Sequence, residues 1–135
     1  MAADQGLNAL AKALNHPDPN VRTKALEVIS ELSEERASGL ISGMLHDPSA
    51  QTRRAAVHAA RRLGAQGAVF SLILALDDPD LGVRMLAKES IEELTDQPVD
   101  ITFEESDAER QLRIAELKEW WKGQRLDQLA TGGPS

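Results

Sequence analysis

Apolar side chains recur along this chain at the spacing of amphipathic helices, and the whole pattern repeats every thirty-one residues. When the sequence is shifted by that interval, identical or similar residues fall into register in six columns. The columns are Leu10, Ile41 and Leu72; Leu14, Leu45 and Leu76; Pro17, Pro48 and Pro79; Arg22, Arg53 and Arg84; Ala25, Ala56 and Ala87; and Leu32, Leu63 and Leu94. A period of this size, with helical spacing on both sides of one proline, predicts a stack of helix pairs.

Each copy predicts two helices joined by a turn at the shared proline. Asp18 is placed to accept backbone N–H bonds at the start of the second helix, and Pro19 stands where no donor is missed. Asp4 is the expected N-cap of the first helix, and Gly64 suits the left-handed position that ends the fourth. The predicted pairs cover about residues 5–32, 36–63 and 67–95.

The repeat stops after Thr95, and a different pattern follows. Residues 99–103 alternate between apolar and polar side chains, which favours an extended segment. A seventh helix is predicted over 106–122, because Ser106 and Glu109 have the spacing of a capping box.

These elements predict one domain over residues 1–123, followed by a flexible tail over 124–135, whose last residues are small, polar and terminal. The predicted fold class is all-α. It is a right-handed α-α superhelix of three helix pairs with a C-terminal capping helix.

The seventh helix is apolar on two sides, which a single packing surface does not explain. One arc contains Ile114, Leu117, Trp120 and Trp121, and the opposite arc contains Ala108, Leu112 and Ala115. We expect the first arc to cover the third pair near Ile91 and Leu94, because terminal repeats need a cap. The second arc is then either a surface for association or is covered by one of four side chains, Ile101, Phe103, Leu126 or Leu129.

The two tryptophans are expected to differ in exposure, because neighbouring residues of a helix point about 100 degrees apart. Leu117 and Trp121 are expected to pack against the third pair, which leaves Trp120 as the more exposed indole. Tryptophan is enriched among binding hot spots, so Trp120 is a candidate partner-binding residue.

Composition and charge narrow the function classes. The chain has no cysteine, which excludes disulfides, thiol nucleophiles and thiolate metal sites. Its net charge of -7 counts against general attraction to nucleic acid or anionic lipid. With no basic apolar leader and no apolar run of membrane-spanning length, we expect a cytoplasmic protein without a membrane partner.

The turns carry a family resemblance. Residues 47–53 read Asp-Pro-Ser-Ala-Gln-Thr-Arg and residues 78–84 read Asp-Pro-Asp-Leu-Gly-Val-Arg, which resembles HEAT repeats, especially the short HEAT-like repeats of bacterial proteins. Residues 16–22 form a third copy, which departs from the pattern where His16 replaces the first acid. In the family, ladders of this Asp and this Arg hold the repeats in register. The resemblance therefore implies structural roles for Asp47, Arg53, Asp78 and Arg84.

No catalytic or metal site is predicted, and no cofactor. His16, His46 and His58 lack a second ligand at helical metal-binding spacing, and His58 is surrounded by arginines. No nucleophile elbow or glycine-rich phosphate loop is present. We therefore expect a protein that is not an enzyme.

Charges on the outer face of the second helices alternate in sign. The first copy presents Glu27 and Glu31, the second a basic stripe, and the third acids again; the basic stripe consists of Arg54, His58, Arg61 and Arg62. The functional interpretation is a basic ridge for an acidic partner. The simpler one, which we favour, is that neighbouring helices neutralise one another. Arg62 and its neighbours are then expected to meet Glu31 and Glu93.

Three functions are compatible with these patterns. The preferred one is a protein–protein adaptor that binds a partner segment along the ridge of second helices, with Arg54, His58, Arg61, Arg62 and Trp120 as candidate contacts. The resemblance also admits an accessory subunit or an enzyme of the HEAT-like bilin lyase type. The third is a nucleic-acid binder using Arg53, Arg54, Arg61 and Arg62; HEAT-like DNA glycosylases are a precedent, but their broad basic groove is not visible in this sequence.

Overall fold

A computed structural model describes residues 2–32, 35–64 and 68–130, apart from the side chains of residues 2–4 and 35. In this described part the chain forms seven α-helices and no strand. They are α1 (Ala2–Ala13), α2 (Pro19–Ile29), α3 (Glu35–Gly43), α4 (Ala50–Leu63), α5 (Ala68–Ala75), α6 (Leu81–Thr95) and α7 (Asp107–Ala130). A 3-10 turn, Met44–His46, follows α3. The predicted all-α fold of helix pairs is confirmed.

The helices stack in two layers around one apolar core. The second helices α2, α4 and α6 pack side by side, and each also packs against the first helix of its own pair. Fully buried side chains come from every pair, among them Leu7, Leu26, Ile29, Ile41, Val57, Leu72, Ile73, Val83 and Ile91. Many contact positions are alanines, which let neighbouring helices approach closely.

Each second helix begins with a side-chain cap in extended backbone. Asp18 accepts from the N–H of Asn20, and Asp80 accepts from the N–H of Val83 at 3.0 Å. Ser49 is the N-cap of α4. These caps satisfy N–H groups that have no partner within the first turn of a helix.

Gly64 ends α4 in the left-handed conformation with φ 68°, as predicted. Replacing Gly64 and Gly123 by alanine in turn tests whether this conformation requires glycine. Gly64→Ala should destabilise the fold by about 1–2 kcal/mol, because a Cβ is strained at that φ. Gly123→Ala should instead stabilise it by up to about 1 kcal/mol, since Gly123 lies inside α7 and an added Cβ would contact nothing within 4 Å. Urea unfolding measures whether the free energy of unfolding falls in the first variant and rises in the second. Equal changes would contradict the conformational explanation.

Two predicted boundaries are wrong. The helix α1 begins at Ala2, so Asp4 lies inside the helix and is not its N-cap. The helix α7 continues to Ala130 and includes residues 124–130 of the predicted tail. Gly123 is a single unfavourable residue, and the helix-forming Gln, Arg and Leu side chains after it are enough to continue the helix. Residues 131–135 lie outside the described part.

The end of the stack is covered by two separate pieces. The segment of residues 97–105 lies along α6, where Val99 and Ile101 are buried, the N–H of Val99 donates to Glu92, and Lys88 donates to the carbonyl of Ile101. The helix α7 packs on α5. Its first turn lies beside Asp77, and Trp121 shares a cleft with Leu94 at the end of α6. The helix α7 therefore runs antiparallel to α5.

The first apolar arc of α7 packs as predicted. Ile114 and Trp121 are buried, Leu117 and Trp120 are half-buried, and Leu117 lies in a cleft with Ile91. The predicted cover of the second arc is wrong. Ile101 is buried at α6 instead, and Phe103 lies beside Lys88 of the same helix, whose Nζ is 5.7 Å from the ring centroid. Leu126 and Leu129 are exposed on α7 itself, because the helix does not stop at Lys122.

Candidate functional site

The interhelical turns are held by arginines that reach forward to the next pair. The Arg53 side chain donates to both carboxylate oxygens of Asp78, at 2.8 and 3.2 Å, and also to the carbonyls of Asp47 and Pro48 in its own turn. Arg22 makes the same set of contacts one pair earlier, with an ion pair of 3.0 Å to Asp47. We call the series Arg22–Asp47 and Arg53–Asp78 the turn ladder.

Each ladder carboxylate also shapes its own turn. Asp47 accepts from the N–H of Ser49, and Asp78 accepts from the N–H of Asp80, both at 2.9 Å. His16 takes over this local role in the first turn, where its Nδ1 accepts from the N–H of Asp18. The missing acid leaves the ladder intact, because Arg22 needs the acid of the following pair and not of its own.

The ladder ends at Arg84. Its guanidinium donates to the carbonyls of Asp78 and Pro79, as its counterparts do in their own turns. It forms no ion pair with any residue in the described part of the chain. The structural role that the resemblance implies for Arg84 is therefore confined, among the described residues, to its own turn, where it holds two carbonyls.

The basic stripe of α4 is neutralised by acids from both neighbouring pairs. Arg61 forms an ion pair with Glu93 and approaches Glu89 at 3.9 Å. Arg62 lies 3.3 Å from Glu31. The favoured interpretation of the alternating stripes is what the structure shows, with Arg61 rather than Arg62 meeting Glu93.

Arg54 is held at the other end of α4 by Asp80. Its guanidinium donates to both oxygens of that carboxylate at 3.0 Å. These hydrogen bonds raise the pKa of Arg54 and, together with the bond from the N–H of Val83, lower the pKa of Asp80. Gly82 makes room for this pair, because a Cβ there would lie 2.9 Å from Arg54 Nε.

The ion pairs between second helices should couple measurably but weakly. Double-mutant cycles on Arg61 with Glu93 and on Arg62 with Glu31 are expected to give about 0.2–1 kcal/mol each, because both partners are substantially exposed. The coupling should fall as salt is raised, since salt screens exposed charges. A cycle on Arg62 with Glu93, which are not paired, is the control. Zero coupling in the first two cycles would leave the arginines free for a partner.

A groove of about 350 Å³ runs between α2 and α4 on the same face. Its lining combines small side chains with charged ones on both sides: Thr23, Glu27, Ser30, Gln51, Arg54, Ala55, His58, Ala59 and Arg62. The hydroxyl oxygen of Thr23 is buried and has no hydrogen-bond partner among the described residues. The groove thus has small side chains at its floor and charged ones at its rim, which suits one side chain carried by an extended segment.

The predicted contact residues do not all meet in one place. Arg54, His58 and Arg62 line the groove, whereas Arg61 lies over Glu89 and Glu93 on the other side of α4. His58 is exposed and forms no hydrogen bond with another described residue. Trp120 stacks at a tilt against Trp121, with ring centroids 6.0 Å apart, at the far end of the chain.

Sequence reasoning missed two kinds of participants. Arg22 was not named as a ladder residue, although it stands in the same column as Arg53 and Arg84, a signal that could have identified it. Ala55 and Ala59 were not singled out, although their four-residue spacing places both on one face of a helix. That a groove opens over them depends on the distance between two helices, which no spacing within one helix reports.

Comparison with known proteins yields one family. Residues 7–35 match the model of the HEAT repeat. No curated protein matches the chain. Within the described residues no helix has the length and hydropathy needed to cross a bilayer, and no cluster of three potential metal ligands is found. The matched segment contains residues 7–13 of α1, all of α2 and the first ladder arginine, and the second and third pairs repeat its turn and its spacing. The first helix pair therefore matches a HEAT repeat, which supports the resemblance of this chain to the HEAT-repeat family.

Proposed function

We propose that this chain is a non-enzymatic adaptor that binds a segment of a protein partner along the face formed by α2, α4 and α6. HEAT repeats are in general scaffolds for protein interaction, and stacked helix pairs offer extended surfaces suited to such segments. The observation that carries the proposal is the groove between α2 and α4. It is the place on this face where small side chains form a floor between charged walls.

The groove favours a particular kind of segment. Ala55, Ala59 and Ser30 leave room for one apolar side chain of the partner, which would be desolvated there. Glu27 lies on the α2 side, while His58 and Arg62 lie on the α4 side. A segment with an apolar residue between a basic and an acidic one matches both walls, so the charge order sets the direction in which it binds.

The ion pairs on α4 weigh against nucleic acid as the partner. Arg53, Arg54, Arg61 and Arg62 each contact a carboxylate, and phosphates would have to displace those acids. The acidic side chains would then face the phosphate backbone from both sides. A peptide needs only the groove and its rim, and leaves the pairs in place.

Selection of peptides displayed on phage tests the proposal. Peptides enriched on the wild-type chain should carry the apolar residue with the stated charges, and Ala55→Leu should weaken their binding at least about tenfold, since it fills a central pocket. Ala9→Leu, an equal change at an exposed position of α1, is the matched control and should have no effect. If no peptide is enriched, or if both variants bind equally, the groove is not the site.

A further inference from the structure

The face of α7 that points away from the stack is apolar and regularly spaced. Leu112, Leu126 and Leu129 are 66%, 60% and 71% exposed, the largest values among the large apolar side chains of the described residues. Ala115, Glu119 and Lys122 lie between them on the same side of the helix and are exposed as well. We call these six residues the outer stripe of α7.

The outer stripe has the spacing of a coiled-coil seam. Its members follow one another at intervals of three and four residues, so they occupy successive a and d positions of a heptad. The buried residues Ile114 and Trp121 fall at a c position on the other side, where α7 rests on α5. The helix α7 therefore has two faces suited to packing, and the stack covers one of them.

The residues of the stripe are complementary to those of a second copy of the stripe that runs in the opposite direction. In an antiparallel pair the a position of one helix faces a d position of the other. With the two-fold axis between residues 120 and 121, Leu112 faces Leu129 of the second helix and Ala115 faces Leu126. Glu119 then faces Lys122, so both central layers pair opposite charges. A parallel pair would place Glu119 against Glu119 and Lys122 against Lys122.

We infer that the outer stripe of α7 is a dimer interface, in which a second copy of this chain packs antiparallel against the first about a two-fold axis. The closed symmetry follows from self-complementarity, since the same patch serves both partners. The stripe is about 26 Å long, as 17 residue steps of ~1.5 Å require. That is short for a permanent dimer, so the association should be concentration-dependent.

Two basic residues border the stripe. Lys118 and Arg125 lie along one edge, which in the antiparallel pair faces the same edge of the second copy. The positive charges of the two copies repel each other across this edge. Repulsion between long side chains at the rim of an interface is small, however, and is screened by salt. The charged layers at the centre decide the register, because they are covered by leucines on both ends.

Charge exchange at the two central positions tests the interface and its direction together. In sedimentation equilibrium over a range of concentrations, the mass of the wild-type chain should rise from 14.7 kDa towards twice that value. Glu119→Lys alone and Lys122→Glu alone each create two like-charged layers, and each should weaken dimerisation at least about tenfold. Mixing the two single variants should restore it, because the mixed dimer pairs opposite charges in every layer. The double variant should dimerise like the wild type.

The control is Val28→Glu, which places a charge on an exposed apolar position of α2, away from α7. It should leave the dimer unchanged, and circular dichroism should show the same helix content for every variant. A wild-type chain that stays monomeric at its highest soluble concentration overturns the inference, as does a dimer that only Val28→Glu disrupts. A mixture of the single variants that stays monomeric overturns the antiparallel register. The groove shares no residue with the stripe, so these outcomes leave the proposed function unaffected.

Discussion

Arg53→Met is expected to lower the free energy of unfolding by about 3–5 kcal/mol, the loss typical of removing one partner of a buried ion pair. The Arg53 and Asp78 side chains are 13% and 6% exposed, so the carboxylate would be left with little water to replace the guanidinium. Two carbonyls of the turn before α4 lose their donor as well. A domain with a total stability of about 5–15 kcal/mol would be close to unfolding.

Arg84→Met is the matched control for this change. Arg84 stands at the same position of its repeat and makes the same two bonds to the carbonyls of its own turn, but it has no described ladder carboxylate. Its replacement should cost about 1.5–3 kcal/mol, the value of hydrogen bonds from a charged group. The difference between the two variants in urea unfolding isolates the contact between repeats. Equal losses would mean that the arginines act only within their own turns.

Trp121→Ala is expected to cost about 3–5 kcal/mol, the usual loss when a buried aromatic side chain is truncated. Trp121 is 6% exposed and belongs to the same core as the third pair. Its removal would open a cavity between α7 and the end of α6, beside Leu94 and Thr95. Because α7 covers the last repeat, the loss should appear as a lower midpoint of thermal unfolding for the whole chain.

Trp120→Ala is the comparison, and a smaller loss is expected because this indole is half-buried. Its edge lies in the cleft formed by Ile91, Pro98 and Val99, so some packing is lost there. Thermal unfolding followed by circular dichroism measures both variants. A larger loss from Trp120 than from Trp121 would reverse the assignment of the two indoles, and no loss from either would show that α7 does not stabilise the stack.

The repeat pattern predicted helix boundaries well where a turn proline, a capping side chain or a terminating glycine marks them. The predicted ends of the second and third pairs, near residues 63 and 95, coincide with the ends of α4 and α6. The first residue of α1 and the last residue of α7 were not predicted, because both lie outside the repeat. The only warning before residue 130 was Gly123, whose unfavourable propensity is outweighed by its neighbours.

Contacts between repeats were harder to predict than the repeats themselves. The resemblance implied that Asp47, Arg53, Asp78 and Arg84 hold the repeats in register, but it did not say whether each arginine meets the acid of its own turn or of the next; the ion pairs join residues 25 apart, from one turn to the next. Both arrangements use the same residues at the same period, so the sequence does not distinguish them. The same limit applied to α4, where the signs of the charges predicted neutralisation but not which arginine meets which glutamate.

The turn ladder has a direction, and its two ends do not fit each other. At one end Arg84 has no carboxylate partner among the described residues, and at the other the first turn presents His16 where the ladder requires an acid. A second copy stacked end to end would bring an imidazole to a guanidinium, and α7 with residues 97–105 already covers the surface it would need. The missing acid therefore costs the folded chain nothing. The histidine in place of the acid also opposes the growth of open fibres. Such fibres are a hazard for any repeat protein in which the last repeat of one copy can bind the first repeat of another.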